Sequence, residues 1–93
     1  MKNKLTKEQF LSKIRNVEEA TSVQGVHYSD ICLSGNKITG IRETTQKEFL
    51  VYADELYNAY SKCDELNTAI LKKYISTRAQ SPAMAILIAA GLI

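Results

Sequence analysis

The last thirteen residues, Ser81 to Ile93, restrict this chain more than any other stretch. Ser81 is a favoured N-cap residue, and Pro82 suits the first helical position, where a missing N–H costs nothing. Gly91 stands where a left-handed residue would close the helix. Leu92 follows, placed to fold back onto Leu87 as in a Schellman motif. Between these caps, from Ala83 to Ala90, no side chain is polar. A helix apolar on every side has to be enclosed, either by the rest of its own chain or by a second copy. The sequence therefore predicts a last helix that is fully apolar and buried.

Ninety-three residues provide one modest core, so residues 1–93 are read as a single domain. With 45% hydrophobic and 24% charged residues the composition is that of a globular protein, and only residues 1–4 are expected to form a loose basic tail. The longest apolar run, from Pro82 to Ile93, falls well short of the roughly 20 residues a membrane span needs. No apolar stretch follows the basic N-terminus as it would in a signal peptide. A cytoplasmic location is expected. Cys32 and Cys63 lack motif spacing and are read as reduced, half-buried thiols rather than a disulfide. Charge is unevenly spread. Residues 1–15 hold five basic side chains against one acidic, residues 16–65 four against nine, and residues 66–93 three against none. Basic ends flank an acidic middle, a pattern that suits a nucleic-acid face, a head-to-tail self-contact, or neither.

The element order follows from periodicity and punctuation. Thr6 with Gln9 forms a capping box, and Leu5 with Phe10 is placed as a hydrophobic staple. Phe10, Leu11, Ile14 and Val17 then recur at helical spacing, so a first helix is expected to run from there towards Ala20. Ile31–Leu33 and Ile38–Ile41 flank Gly35-Asn36, a dipeptide suited to a tight hairpin turn. Phe49–Tyr52 completes a three-stranded antiparallel meander. Gly40, inside the middle strand, marks a bulge or a close approach of another backbone, such as a helix packing across it. Asp54 and Glu55 suit the first turn of a second helix whose buried side is Leu56, Tyr57 and Tyr60. Asn67 can cap a third, with Leu66 and Leu71 as a staple and Ile70, Tyr74 and Ile75 on its apolar side. Ser76 to Gln80 is a polar link into the last helix. The expected fold is α+β: an N-terminal helix, a three-stranded β-meander, then three C-terminal helices.

If Phe49 and Val51 face the helices, Leu50 and Tyr52, with Ile41, lie on the opposite side of the sheet. That side is apolar enough to need cover. Either the N-terminal and C-terminal helices sandwich the sheet, or a second copy of the chain covers it in a homodimer.

Few groups suit catalysis. His27 is the one histidine, and strand alternation turns both Asp30 and Cys32 away from it, against a local triad or Cys–His pair. The carboxylates come as adjacent pairs, Glu18-Glu19, Asp54-Glu55 and Asp64-Glu65, and adjacent residues do not face a common substrate. Gly35 to Gly40 lacks the Gly-Lys-Ser/Thr ending and following helix of a phosphate loop. No enzyme activity, cofactor or metal is expected.

Two binding readings remain. The segment from Lys72 to Ser81 joins two helices in the manner of a helix-turn-helix, but the last helix offers no polar side chain for base edges. What that segment suits is an anion or phosphate at the start of the last helix, held by Lys72, Lys73, Arg78 and Ser81. Separately, the five tyrosines (28, 52, 57, 60 and 74) serve either a core, with hydroxyls at its rim, or a protein interface. The reading preferred on sequence is a non-enzymatic interaction module that self-associates, most simply as a dimer, or binds another protein. Leu50, Tyr52, Tyr57 and Tyr60 are its candidate interface. The alternative is a nucleic-acid-associated protein contacting phosphates through the basic link.

Overall fold

The hairpin turn at Gly35-Asn36 shows how local chemistry and tertiary structure meet in this chain. A computed structural model describes residues 5–22, 24–63, 65–77 and 79–92. The basic tail expected at 1–4 lies outside them. The sheet contains β1 (Ala20–Thr21), β2 (His27–Ser34), β3 (Lys37–Arg42) and β4 (Lys47–Tyr52). The turn joins β2 to β3 and pairs Ser34 with Lys37. Only Gly35 takes a positive φ, 59°, which is the pattern of a type II′ turn with glycine first. Asn36 is then free for a second task. It serves α2 (Ala53–Lys62), whose N-cap residue Tyr52 provides no side-chain cap. Instead the Asn36 carbonyl accepts from Ala53 N–H at 2.7 Å, and its side-chain oxygen accepts from Asp54 N–H at 2.9 Å. Asp54 Oδ1 returns the contact by accepting from Asn36 Nδ2 at 3.0 Å and from Glu55 N–H at 2.8 Å. A residue eighteen positions upstream caps the helix.

The sheet has four antiparallel strands in the order β1-β2-β3-β4, one more than expected. The extra strand comes from the end of the first helix. α1 (Lys7–Arg15) starts with the expected capping box, Thr6 Oγ1 accepting from Gln9 N–H at 3.3 Å and Gln9 Oε1 accepting from Thr6 N–H at 3.1 Å. It stops at Arg15 rather than near Ala20. Pairing with β2 wins over helix propagation there: Ala20 sits opposite Tyr28 and is buried, and the Glu18 carbonyl accepts from Ile31 N–H at 3.0 Å.

A bulge exists, but in β2 rather than at Gly40. Ser29 pairs with Ile41 and Cys32 with Thr39, so Asp30 and Ile31 together oppose Gly40. Asp30 takes the left-handed conformation (φ 52°) that makes this geometry available. What approaches Gly40 is no helix but the ring of Phe49, its cross-strand partner. A Cβ at Gly40 would lie 2.6 Å from two ring carbons of Phe49 and 3.0 Å from the Ser29 carbonyl. The ring also meets Tyr28 edge-on, with centroids 5.5 Å apart. Phe49 fills the space the glycine leaves.

Two further helices, α3 (Thr68–Tyr74) and α4 (Gln80–Ala89), complete the described elements, and the α+β order holds. Asn67 caps α3 as expected, its side chain accepting from Ile70 N–H at 2.9 Å. The last helix ends as its sequence requires. Gly91 has φ 74°, Leu92 N–H reaches the Leu87 carbonyl at 3.0 Å, and Gly91 N–H reaches that of Ile88 at 3.0 Å, the two bonds of a Schellman motif. Its start differs. Ala79, not Ser81, is the N-cap and offers no side-chain bond, and Pro82 occupies the third helical position.

Pro82, Ala83, Ala85, Ile86 and Leu87 are buried, but Met84 is half-buried and Ile88 is 38% exposed. The expectation of a wholly buried helix is corrected on that one side. A chain this small encloses the helix on three sides only. The buried side chains, from Phe10 and Ile14 of α1 through Tyr28, Ile38 and Val51 of the sheet to Leu56, Leu71, Ile86 and Leu87, form one continuous cluster. No described helix is long and apolar enough to cross a membrane.

The bonds from Asn36 and from the Glu55 amide hold the Asp54 carboxyl below the usual range. A depressed folded-state value means the charged form stabilises the fold above the unfolded pKa, and that contribution is lost as pH falls through the folded value. Asp54→Asn should therefore lower stability to urea at neutral pH. The gap to the wild type should close below about pH 4, near the unperturbed carboxylate pKa. A gap independent of pH would show that the charge has no part in the cap.

Candidate functional site

Strand alternation divides the sheet into two unlike faces. Ala20, Tyr28, Ile31, Leu33, Ile38, Phe49 and Val51 face inward and belong to the core or pack against it. The outer face carries Cys32, Thr39 and Leu50 in one row, Ser29, Ile41 and Glu48 in the next, and Lys37 with Tyr52 at one end. No side chain on it is buried, and Ile41, Leu50 and Tyr52 are half-buried without packing on the core. The helices all serve the inner face, so the sandwich expected as one alternative does not form.

The four candidate interface residues fall on two different sides. Leu50 and Tyr52 lie on the open face. Tyr57 and Tyr60 point into the seam between α1 and α2, each with its ring centroid 5.1 Å from that of Phe10. Tyr57 donates its hydroxyl to the Leu5 carbonyl at 3.0 Å, and the Tyr60 hydroxyl accepts from Leu5 N–H at 3.2 Å. Together they clasp the backbone just before α1. Tyr60 is 5% exposed and Tyr57 half-buried. The hydrophobic pattern that placed them on a helix face was sound; their pairing with Leu5, more than fifty residues away, has no local signature.

The basic link is likewise split. Lys72 and Lys73 are exposed on α3, Ser81 is half-buried in the first turn of α4, and Arg78 lies outside the described residues. Ser81 lines an open groove of about 670 Å³ between the start of α4 and the β3–β4 hairpin. Among the described residues the cations there are Arg42 and Lys47, with Glu48 beside them, rather than Lys72 and Lys73. Sequence reading missed Arg42 and Lys47 because only folding brings that hairpin to α4. Thr77 Oγ1 and Gln80 Oε1, from the same segment, are buried without a hydrogen-bond partner among the described residues.

His27 sits at the start of β2, its Nδ1 3.0 Å from Thr21 Oγ1 and its Nε2 3.8 Å and 3.9 Å from carboxylate oxygens of Glu19 and Glu43. The β2 bulge resets the alternation, so Cys32 shares the outer face with His27, contrary to the parity expected from an unbroken strand. Cys32 is exposed rather than half-buried, whereas Cys63 is half-buried as expected, its thiol 3.6 Å from the Tyr74 hydroxyl. Among the described residues no group of three or more His, Cys, Asp or Glu is arranged to hold a metal ion.

No known protein family, curated protein or solved structure matches this chain.

Tyr28 is the polar oddity of the core. It is 0% exposed, its hydroxyl has no hydrogen-bond partner among the described residues, and burial raises its pKa, with Arg42 opposing the shift. An unpaired buried hydroxyl costs about 1–3 kcal/mol. Tyr28→Phe should thus be neutral or raise stability by roughly 1 kcal/mol in urea denaturation. A clear loss of stability would reveal a partner for that hydroxyl.

Proposed function

We propose that this protein is a small, non-enzymatic, cytoplasmic interaction module that self-associates through the open side of its sheet. The observation that carries this reading is the outer face itself: Ile41, Leu50 and Tyr52 lie together there, shielded from water only in part and by no helix. Apolar side chains gathered on one open face are more often a contact surface than an accident of composition. Tyr52 adds a large, fairly rigid ring with a polar tip, the kind of side chain favoured where two proteins meet. Tyr57 and Tyr60 support the module from within by fixing the start of α1. Light scattering over a range of concentrations should give a mass above that of one chain. That association should persist as salt rises, since apolar contact is not screened. Leu50→Ser with Tyr52→Ser should weaken it. A single-chain mass at every concentration would overturn the reading.

A second reading has one observation in its favour. The first turn of α4 carries neither a capping side chain nor an acid, and Arg42 and Lys47 face the same groove. Free helix amides beside cations suit a phosphate. On this reading labelled oligonucleotides bind with an affinity that falls steeply with salt, and Arg42 and Lys47 changed to Ala abolish the binding. Flat anisotropy at low salt would dispose of it.

A further inference from the structure

The two edges of the sheet are unequal. β1 is two residues long, too short to template another strand. β4 runs six residues in unbroken register with β3, without proline or bulge. Its hydrogen-bonding pattern follows from the neighbouring turn. Ser34 and Lys37 close a two-residue hairpin, so the odd-numbered residues of β3 bond to β2 and the even-numbered ones to β4. Glu43 N–H reaching the His27 carbonyl and Ala53 N–H reaching that of Asn36 agree with this phase. Phe49 and Val51, opposite Gly40 and Ile38, therefore spend their amides on β3. Glu48, Leu50 and Tyr52 turn theirs outward, and among the described residues no backbone bond meets them there. Thr77 and Ala79 to Pro82 stand off from this edge across the open groove, leaving room for the inner-face side chains of an added strand.

We propose that β4 pairs edge to edge with β4 of a second copy, antiparallel about a two-fold axis at Leu50, joining two sheets into one of eight strands. This rests on the self-association reading but moves the contact from the outer face to the edge of the sheet. The sequence of the strand is what selects a second copy as the occupant. In the register that sets Leu50 against Leu50 of the other chain, Glu48 falls opposite Tyr52, and Phe49 opposite Val51. Apolar side chains meet apolar ones, and each Glu48 carboxylate lies beside a phenol hydroxyl able to donate to it. Like charges are kept apart. The register that sets Glu48 on Glu48 opposes two carboxylates, and those with Phe49 or Val51 on the axis set Leu50 against Glu48 or Tyr52 instead of against itself. The outer faces of the two copies then run on as one surface, with Leu50 and Tyr52 at its centre.

The test separates this contact from a stacking of outer faces. Leu50→Pro removes an amide that β3 does not use, so the fold stands while the edge is blocked. Leu50→Ala keeps the amide, and Ile41→Glu charges the outer face away from the edge. Light scattering should give the mass of two chains for wild type, Leu50→Ala and Ile41→Glu, and of one chain for Leu50→Pro with an unchanged circular dichroism spectrum. In the wild type, hydrogen exchange at the amides of Leu50 and Tyr52 should slow as concentration rises. A two-chain Leu50→Pro beside a one-chain Ile41→Glu would overturn edge pairing and leave self-association through the face standing. A wild type of one-chain mass would overturn both. Should Leu50→Pro fail to fold, amides at Leu50 and Tyr52 that exchange freely in a two-chain wild type would by themselves overturn the proposal.

Discussion

Everything in this fold is arranged around a helix that has no polar side to give to water. Ile86 and Leu87 are 0% exposed, and the sheet, α1, α2 and α3 all contribute side chains to the cluster that encloses them. That demand accounts for the one-sidedness of the molecule. With every helix drawn to the inner face, none is left for the outer one, and Ile41, Leu50 and Tyr52 remain at the surface. It also accounts for β1: Ala20 is drawn into the same cluster, which ends α1 early and adds a strand.

Much of this was legible in the chain because its signals are local. Thr6 and Gln9, Asn67, and Gly91 with Leu92 act within one turn of helix, and each cap or motif forms as its residues require. Gly35 likewise sets its turn without help from the rest of the fold. The errors have a common physical cause, which is distance along the chain. Ala20 reads as helix until β2 is there to pair with it. Gly40 reads as a bulge or the close approach of another backbone because its true neighbour, the Phe49 ring, arrives from another strand. The bulge itself is at Asp30, a residue that tolerates positive φ but carries no compulsory signal for it. Ser81 looks like the better cap, yet the helix begins one residue before it.

The candidate sites follow the same division. Alternation alone places Leu50 and Tyr52 opposite Phe49 and Val51, and the structure has them there. The pairing of Tyr57 and Tyr60 with Leu5, and the meeting of Arg42 and Lys47 with the start of α4, are long-range and have no signature in either segment by itself. Lys72, Lys73 and Ser81 are neighbours in sequence whose side chains do not converge on one groove, since only Ser81 lines it. Closeness in sequence was a poor guide to closeness in space wherever a turn intervened.

The cap that Asn36 supplies to α2 has a meaning for local opening. A ten-residue helix is marginal in isolation, and the first two amides of this one have no acceptor nearby in sequence. Those amides find their acceptors only after the β2–β3 turn has closed and β4 has docked against β3. Hairpin and helix are thereby bound into one cooperative unit, so that opening the β2–β3 turn also uncaps α2.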